Sequence, residues 1–431
     1  MTSREQLPTT TRCTFIPPWL AERVDGPERA GLDEALRTRR GVEARTAGRT
    51  AAPSGPAAAA PAWTVHDAGS TTRLPGDVAR SAGDPEVGDV AVDEAATGIE
   101  ATLAMFAEVL RRDSHDDAGA PVSLTVHYGS RYNNAFWDGT QLVFGDGDGR
   151  VFERFTKPVD VLAHEFAHAV IEHTADLTYR GQSGALNESV ADVFASCLKQ
   201  RLLGQDAADG DWLIGEGIFT PSVRARALRD MAAPGTAYDD PELGADPQVG
   251  HMDDFVVTTA DNGGVHLNSG IPNKAFQLAA VAIGGTAIEG AGRVWYDALV
   301  GDAVPQDADF ATFAAATVAA AGQHADVVRQ SWAQVGVEPA AGAPESSSVG
   351  RLRVERSGGF VGRTETVDVD LDDDLRGLVA EAGLSSATST DERPLPDMFV
   401  YTFTVDDDLP VRVPEHLLTP GQAALARRLM S

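Results

Sequence analysis

The chain has 431 residues, 43% of them hydrophobic, and is long enough to bury a large core in two or three domains. Its 64 acidic and 35 basic residues give a formal net charge of −29, which argues against nucleic acid and against an anionic membrane surface as partners. No apolar run approaches the length of a membrane span, and none of signal-peptide length stands near the N-terminus. Cys13 and Cys197 give no disulfide framework. Together these features predict a cytoplasmic protein, with non-standard secretion as the alternative.

The N-terminal segment, residues 1–50, differs in composition from the rest of the chain, and we call it the head. It contains an apolar island at residues 15–20, in which Pro17 and Pro18 disfavour a helix and predict an extended segment. Residues 51–62 are rich in Ala, Pro and Gly and lack apolar periodicity. We expect a flexible, cleavable linker there.

Residues 63–337 predict two lobes that share a helix. The first part has short strands and turns, with one helix near 93–112 and a strand of alternating polarity at 122–128. Long Ala-, Leu- and Val-rich stretches of helical periodicity come next, beginning with a helix at 159–174. We therefore expect an α+β fold in which a β-rich N-terminal lobe and a helical C-terminal lobe flank a cleft.

The C-terminal part of the chain predicts a separate small domain, which we call the tail. A second linker, residues 338–349, is rich in Ala, Pro and Ser. Residues 350–431 then return to strand-like alternation around a helix at 375–382. This pattern predicts a small α+β module of about 80 residues.

The run His-Glu-Phe-Ala-His at 164–168 predicts a catalytic zinc site. His164 and His168 are four residues apart, so on a helix both imidazoles project from one face. Glu165 lies between them, where it can serve as a base toward a metal-bound water. Glu188 supplies a third ligand from a second helix, and Asp192, one turn further on, can fix the tautomer of a ligand histidine. Three ligands with an open fourth position are typical of a catalytic metal.

Further motifs carry a resemblance to a known family. They are Asn-Asn-Ala-Phe-Trp at 133–137, Phe-Gly-Asp-Gly-Asp-Gly at 144–149, Tyr179, Arg229, and Asp-Asn-Gly-Gly-Val-His-Leu-Asn-Ser-Gly at 261–270. In this order and spacing, residues 63–337 resemble the thermolysin-like zinc metallopeptidases. The resemblance implies a neutral endopeptidase that acts on peptide or protein substrates through a zinc-activated water.

The resemblance also assigns roles in catalysis and substrate binding. It implies that Tyr179 and His266 stabilise the oxyanion, with Asp261 orienting His266, while Glu165 moves the proton. Substrate contacts are implied for the side chain of Asn134, the backbone of Ala135 and the guanidinium of Arg229. An apolar pocket for a bulky residue just after the scissile bond is implied for Phe152, Val161, Ile214 and Leu228.

One part of the resemblance is incomplete, and it concerns calcium. Of five carboxylates at the family's double-calcium site, only Asp160, Asp211 and Glu216 have counterparts, while Lys199 and Leu213 take the other two positions. Either the Lys199 ammonium replaces one cation, or the remaining acids are simply solvated. Calcium is therefore a doubtful cofactor.

The head resembles the short propeptide of the protealysin branch of that family, which carries a Pro-Pro-aromatic-Leu motif like Pro-Pro-Trp-Leu at 17–20. The resemblance implies that the head inhibits the enzyme until the linker is cut. Cys13 either reaches the zinc as a thiolate or is a small buried apolar residue.

The tail resembles emfourin, a small inhibitor of protealysin-like enzymes, through residues 352–362 and 393–401. This implies an intramolecular inhibitor domain that acts in cis or in trans. The alternative is a stably self-inhibited protein whose tail is a partner-binding module.

Overall fold

The structure is a computed structural model, which describes residues 14–26, 62–340, 351–358, 363–370, 375, 378–379, 382, 399–405 and 410–430. The chain divides into two compact units, Met1–Ala343 and Pro344–Ser431. Within the described ranges, no helix combines the length and the apolarity needed to cross a membrane.

The N-terminal lobe is built on a five-stranded mixed sheet with the strand order β2-β1-β3-β5-β4. Strand β3 lies parallel to β1 and to β5, whereas β2 and β4 pair antiparallel at the two edges. The strands are β1 (Trp63–Asp67), β2 (Asp77–Ser81), β3 (Val122–Val126), β4 (Ala135–Trp137) and β5 (Leu142–Phe144).

The long helix that packs on this sheet begins where its sequence supplies a cap. Within the described residues it follows the short head helix α1 (Pro18–Asp25), and we number it α2 (Val90–Leu110). The Asp89 side chain accepts hydrogen bonds from the amides of Ala91 and Val92, which satisfies two otherwise unpaired donors of the first turn. The prediction of a helix near 93–112 is thus correct to within a few residues.

Two buried helices form the centre of the unit and carry the site. Helix α3 (Val159–Glu172) is buried from Asp160 to Ile171, because it is apolar nearly all the way round. It packs against α4 (Gly181–Leu203), which ends at Gly204 in the left-handed conformation that favours glycine.

The helical lobe continues from α4 and contains a stacked pair of tryptophans in its core. Trp295 and Trp332 stack with ring centroids 6.0 Å apart, and both are fully buried. The lobe comprises the two-residue strands β6 (Leu213–Ile214), β7 (Arg229–Asp230), β8 (Asp239–Asp240) and β9 (Gly244–Ala245), and the helices α5 (Asp261–Asn268), α6 (Gly270–Ile283), α7 (Arg293–Val300), α8 (Phe310–Ala320) and α9 (Ala325–Gln334).

The prediction of an extended head segment is wrong from Pro18 onward. Residues 14–17 precede helix α1, which has Pro17 as its extended N-cap and Pro18 in its first turn. A proline at the first helical position costs no hydrogen bond, since that amide has no partner in a helix, and its fixed φ suits the helix. Cys13 and the linker up to residue 61 lie outside the described residues.

The second unit contains a four-stranded antiparallel sheet of strand order β11-β10-β12-β13. Leu352 and Val354 of β10 alternate with polar residues and share a core with Phe403 and Leu425. Described positions of the predicted 375–382 helix are helical. The elements are β10 (Arg351–Gly358), β11 (Arg363–Asp370), β12 (Phe399–Val405), β13 (Val411–Pro414) and α10 (Pro420–Leu429).

Candidate active site

Three side chains from the two central helices converge on one point. The Nε2 atoms of His164 and His168 are 3.0 Å apart, and they lie 3.5 and 3.7 Å from the two carboxylate oxygens of Glu188. All three residues are buried, and one donor atom from each lies within 4.8 Å of the others. Zinc bound tetrahedrally at about 2.1 Å would hold its ligands about 3.4 Å apart. The donor set and its dimensions therefore fit a zinc ion.

Both imidazoles are held in the orientation that a metal requires. The Nδ1–H of His164 donates to Asp192 Oδ1 at 2.9 Å, and that of His168 donates to Asn187 Oδ1 at 2.7 Å. Each Nε2 lone pair is thereby left facing the centre. Asn187 is a partner that sequence reasoning missed, although its place next to Glu188 on α4 was a usable signal.

Asp192 links the metal site to a buried arginine. Its carboxylate accepts from Arg229 Nε at 2.8 Å and Nη2 at 2.7 Å, and from Asn273 Nδ2 at 2.9 Å. Burial alone would raise the pKa of Asp192, but the charges of Arg229 and His164 outweigh it and lower that pKa. Asn273, 81 residues away in sequence, was also missed, and no local pattern points to it.

Glu165 is a buried acid whose pKa lies near neutrality. It is fully buried on α3, and neither carboxylate oxygen has a hydrogen bond of ordinary geometry within the described part of the chain. Burial raises its pKa to about 7, and the charge of Glu188 acts in the same direction. A carboxylate of this pKa can both accept and return a proton near pH 7.

Tyr179, His266 and Asp261 form a group on the other side of Glu188. The Tyr179 hydroxyl donates to Glu188 and lies 3.3 Å from Nε2 of His266. His266 Nδ1–H donates to Asp261 Oδ1 at 2.6 Å. Burial by itself would lower the pKa of His266, but the charges of Asp261 and Glu188 outweigh burial and raise that pKa to about 9. His266 is therefore cationic at neutral pH, and its Nε2–H can donate to a substrate.

A tight turn explains how His266 reaches Asp261. Residues 261–264 all have positive φ, between 50° and 91°, and this run folds the chain so that the His266 amide also donates to Asp261 Oδ2 at 2.9 Å. Left-handed backbone favours glycine, and Asn is among the few other residues that tolerate it. The motif Asp-Asn-Gly-Gly thus predicts the turn from sequence.

The four residues predicted to line an apolar pocket are all buried and belong to one hydrophobic cluster with Phe15 of the head. Sequence reasoning missed Gly215, which follows Ile214. A Cβ at Gly215 would lie 3.2 Å from the Phe15 ring and from Leu228 Cβ, and its φ is +72°. Gly215 therefore leaves the room that the aromatic ring occupies.

The head runs through the cleft between the predicted substrate-binding residues. The amide of Phe15 donates to Ala135 O at 3.1 Å, and that of Ile16 donates to Asn134 Oδ1 at 2.9 Å. Arg229 Nη1 donates to Phe15 O at 3.3 Å, and its guanidinium lies 4.9 Å from the centre of the Phe15 ring. Every substrate-contact residue named from sequence thus contacts the head or shares its cluster.

The calcium-related acids surround an ammonium group. Lys199 Nζ is 2.9 Å from Asp211 Oδ1 and 3.7 Å from Asp160 Oδ2, and it donates to Leu213 O. Partial burial and a hydrogen bond with Asp211 raise the pKa of Glu216. Asp160 and Asp211 are therefore paired with Lys199, whereas Glu216 is hydrogen-bonded to Asp211 and otherwise faces solvent.

Fold and site together define a metal-dependent hydrolase, and comparisons with known proteins give the family. The thermolysin metallopeptidase catalytic domain matches residues 68–172, and the thermolysin metallopeptidase alpha-helical domain matches residues 175–337. The chain belongs to the thermolysin metallopeptidase family, whose members are zinc-dependent endopeptidases.

Individual relatives agree with this assignment. An extracellular metalloprotease of Pectobacterium carotovorum subsp. carotovorum is 52% identical over 279 residues, which span 64% of this chain and 80% of that protein. Protease PrtS of Photorhabdus sp. (strain Az29) is 49% identical over 64% of this chain and 76% of its own length. The structure of the precursor of protealysin, a metalloproteinase from Serratia proteamaculans, superposes with a TM-score of 0.67 at 47% identity, covering 75% of this chain and 99% of that one. The protealysin branch is thereby supported.

The prediction of a cytoplasmic protein is wrong. It is contradicted by the Pectobacterium relative, which is named an extracellular metalloprotease. The physical reason is that an apolar leader serves only one export route, so the composition of the N-terminal residues does not fix where a protein acts.

Proposed function

We propose that this chain is the zymogen of a zinc endopeptidase whose head fills the cleft until the linker at 51–62 is cut. One observation carries the proposal: Phe15 and Ile16 are fully buried, and their amides donate to the carbonyl of Ala135 and to the side-chain oxygen of Asn134. A peptide cannot enter the cleft while these positions are taken. The name of the Pectobacterium relative supports an extracellular site of action.

In the mature enzyme, His164, His168 and Glu188 would hold zinc, which when bound supplies a Lewis acid and an acidified water. Glu165 accepts a proton from the attacking water and returns it to the leaving nitrogen, a task for which a pKa near neutrality suits it. His266 donates from Nε2 to the carbonyl oxygen of the scissile bond, and Asp261 keeps that ring charged and oriented.

The substrate would lie in the cleft as an extended strand, with hydrogen bonds to Asn134, Ala135 and Arg229. A bulky apolar side chain after the scissile bond would fill the pocket that now holds Phe15. Transferring a phenylalanine ring from water into such a pocket is worth about 2 kcal/mol, which is sufficient to favour it over a small residue by more than tenfold.

The inhibitory part of the proposal extends to the tail, whose role is supported by its resemblance to emfourin. We propose that residues 350–431 restrain the peptidase after the head has left. The linker 338–349 would keep the two units at a high effective concentration if it spans the distance between their sites. The proposed layout is a head (1–50), a linker (51–62), a peptidase domain (63–337), a linker (338–349) and an inhibitor domain (350–431).

The mechanism is tested with the variant Glu165→Gln. It should keep one zinc per chain, measured by elemental analysis, because Glu165 is not a metal ligand. It should lose casein hydrolysis, because Glu165 accepts the proton of the attacking water. Glu172→Gln, at the end of the same helix, is the matched control and should retain activity. Undiminished turnover in Glu165→Gln would refute the assignment.

The role of the tail is tested by deleting residues 345–431 from the matured enzyme. We expect a higher specificity constant on a peptide with an apolar residue after the cut, and a decrease when the isolated tail is added. Inhibition that persists on dilution of the full chain indicates action in cis, whereas inhibition that disappears indicates action in trans. Equal specificity constants, with no binding of the tail, would favour a partner-binding module.

A further inference from the structure

The head contacts the cleft in a defined register around one peptide bond. On the N-terminal side of that bond, His266 Nε2 donates to the carbonyl of Thr14 at 2.9 Å. On the C-terminal side, Arg229 donates to the carbonyl of Phe15, whose amide donates to Ala135. The bond between Thr14 and Phe15 thus lies between the donor expected to stabilise the oxyanion and the donor expected to hold the next carbonyl.

The side chain of Phe15 agrees with this register. Its ring borders Gly215 at the floor of the apolar pocket and meets the ring of His164 edge to face, with centroids 5.3 Å apart. The residue after the scissile bond is the one that this pocket is expected to receive. Backbone and side-chain contacts therefore agree on direction as well as position: the head lies in the cleft as a substrate does.

We propose that the Thr14–Phe15 bond is itself a cleavage site of this enzyme, distinct from the cut in the linker. This inference rests on the proposed function. Water adds its oxygen to the Thr14 carbonyl carbon, the bond from that carbon to the Phe15 nitrogen breaks, and a proton passes through Glu165 to the nitrogen. The products are a carboxylate at Thr14 and an amine at Phe15, and no further reactant is needed.

Contacts beyond the bond predict that this cleavage is slow. Helix α1 is anchored by Asn133 Nδ2, which donates to Asp25 at 2.8 Å, and by Trp19, whose ring lies edge-on to His266 with centroids 6.1 Å apart. After the cut these anchors hold the new amine of Phe15 in place, so that the bond can re-form before the two ends separate. The head leaves permanently only when its anchored part, residues 15–26, also dissociates.

The cleavage is tested by following full-length protein with zinc over time, using intact mass and N-terminal peptide analysis. We expect a species that begins at Phe15 and a fragment that ends at Thr14, appearing after the linker cut. Phe15→Asp should suppress this species at least tenfold, because a charged side chain is excluded from an apolar pocket. Glu22→Gln, on the exposed surface of α1, is the matched control and should leave it unchanged.

The outcomes separate this inference from the proposed function. If the linker is cut and casein is hydrolysed, but no chain begins at Phe15, the inference is overturned and the zymogen proposal stands. If Glu165→Gln is cut between Thr14 and Phe15 as fast as the wild type, a contaminating protease makes that cut and the inference is overturned. If Glu165→Gln also hydrolyses casein as fast as the wild type, the proposed function is overturned as well.

A second measurement examines the register without enzyme activity. In the Glu165→Gln background, the amides of Phe15 and Ile16 should exchange hydrogen slowly, since both are buried and hydrogen-bonded. Adding Phe15→Asp, or the milder Phe15→Gly, should speed their exchange at least tenfold, while adding Glu22→Gln should not. Unchanged exchange in both Phe15 variants would overturn the register and, with it, the cleavage site.

Discussion

Lys199 lies between the carboxylates of Asp160 and Asp211, and replacing it with methionine tests whether its ammonium takes the place of a cation. In Lys199→Met the hydrophobic stem is kept and only the ammonium is lost. Asp160, which is 1% exposed, would then face Asp211 without a counter-charge. Removing one partner of a buried ion pair costs about 3 kcal/mol of unfolding free energy, because the remaining charge is left desolvated. In a unit of this size that corresponds to a fall in Tm of about 6 °C.

The loss of unfolding free energy in Lys199→Met should depend on pH and on calcium. Burial already raises the pKa of Asp160 above its ordinary value, and Lys199 opposes that rise. Without Lys199 the carboxyl protonates more readily, so the loss of stability is smaller at pH 5 and grows toward pH 8 as the folded state resists ionisation. Millimolar calcium should restore part of the Tm, since hard carboxylate oxygens are what that ion binds.

The assay is thermal unfolding followed by circular dichroism, in zinc-containing buffer with and without calcium, on the Glu165→Gln background to prevent self-digestion. The matched control is Lys157→Met, which removes an exposed lysine 3.7 Å from Glu153. Exposed pairs of this kind contribute at most about 1 kcal/mol. If Lys199→Met unfolds at the same temperature as Lys157→Met, the ammonium does not take the place of a cation.

Three further predictions concern other parts of the unit. Hydrogen bonds that the His127 ring donates to the carboxylates of Asp146 and Asp89 raise the pKa of His127 to about 9. That stabilisation is fully present below about pH 6.5 and is lost as pH rises through about 9. His127→Asn should therefore lower the free energy of unfolding, measured in urea, by about 1 kcal/mol after screening at pH 6 and by much less at pH 10. Gly215→Ala should lower kcat/KM for peptides with Phe after the cut about tenfold relative to Val, because the added methyl narrows the pocket. Peptide mapping should find the mature N-terminus between residues 40 and 62, and a start beyond Val65 would contradict this because it removes β1.

The metal ligands could be predicted because their geometry is local. His164 and His168 lie one turn apart on α3, and Glu188 and Asp192 lie one turn apart on α4, so each pair is fixed by helical spacing alone. The convergence of the two helices is tertiary, and the sequence indicates it only through the family resemblance. Contacts between helices that are distant in sequence could not be predicted. Asn273, for example, donates to Asp192 from α6, and no sequence pattern relates that helix to α4.

Two further features could not be predicted from the sequence. One depends on the absence of a side chain, and the other depends on the conformation of the backbone around a pair of prolines. Gly215 shapes the pocket by having no side chain, and nothing in a single sequence distinguishes it from a glycine needed only for a turn. Pro17 and Pro18 were interpreted as helix breakers, yet a proline disfavours only the interior of a helix. Whether a Pro-Pro pair ends an extended segment or begins a helix depends on the residues on its C-terminal side.

The contacts of the head show that inhibition and metal binding are largely separate. Phe15 and Ile16 are held by Ala135, by Asn134 and by Arg229, none of which is among the donors that face the metal centre. The two systems meet at Asp192, which orients both Arg229 and His164, and at the ring of His164 itself, which the Phe15 ring contacts edge to face. Two hydrogen bonds to Asp192 hold Arg229 in place, so that its guanidinium faces the carbonyl of Phe15. Because the head is held by the carbonyl of Ala135 and the side chains of Asn134 and Arg229, we expect the same three groups to receive a substrate once the head has gone.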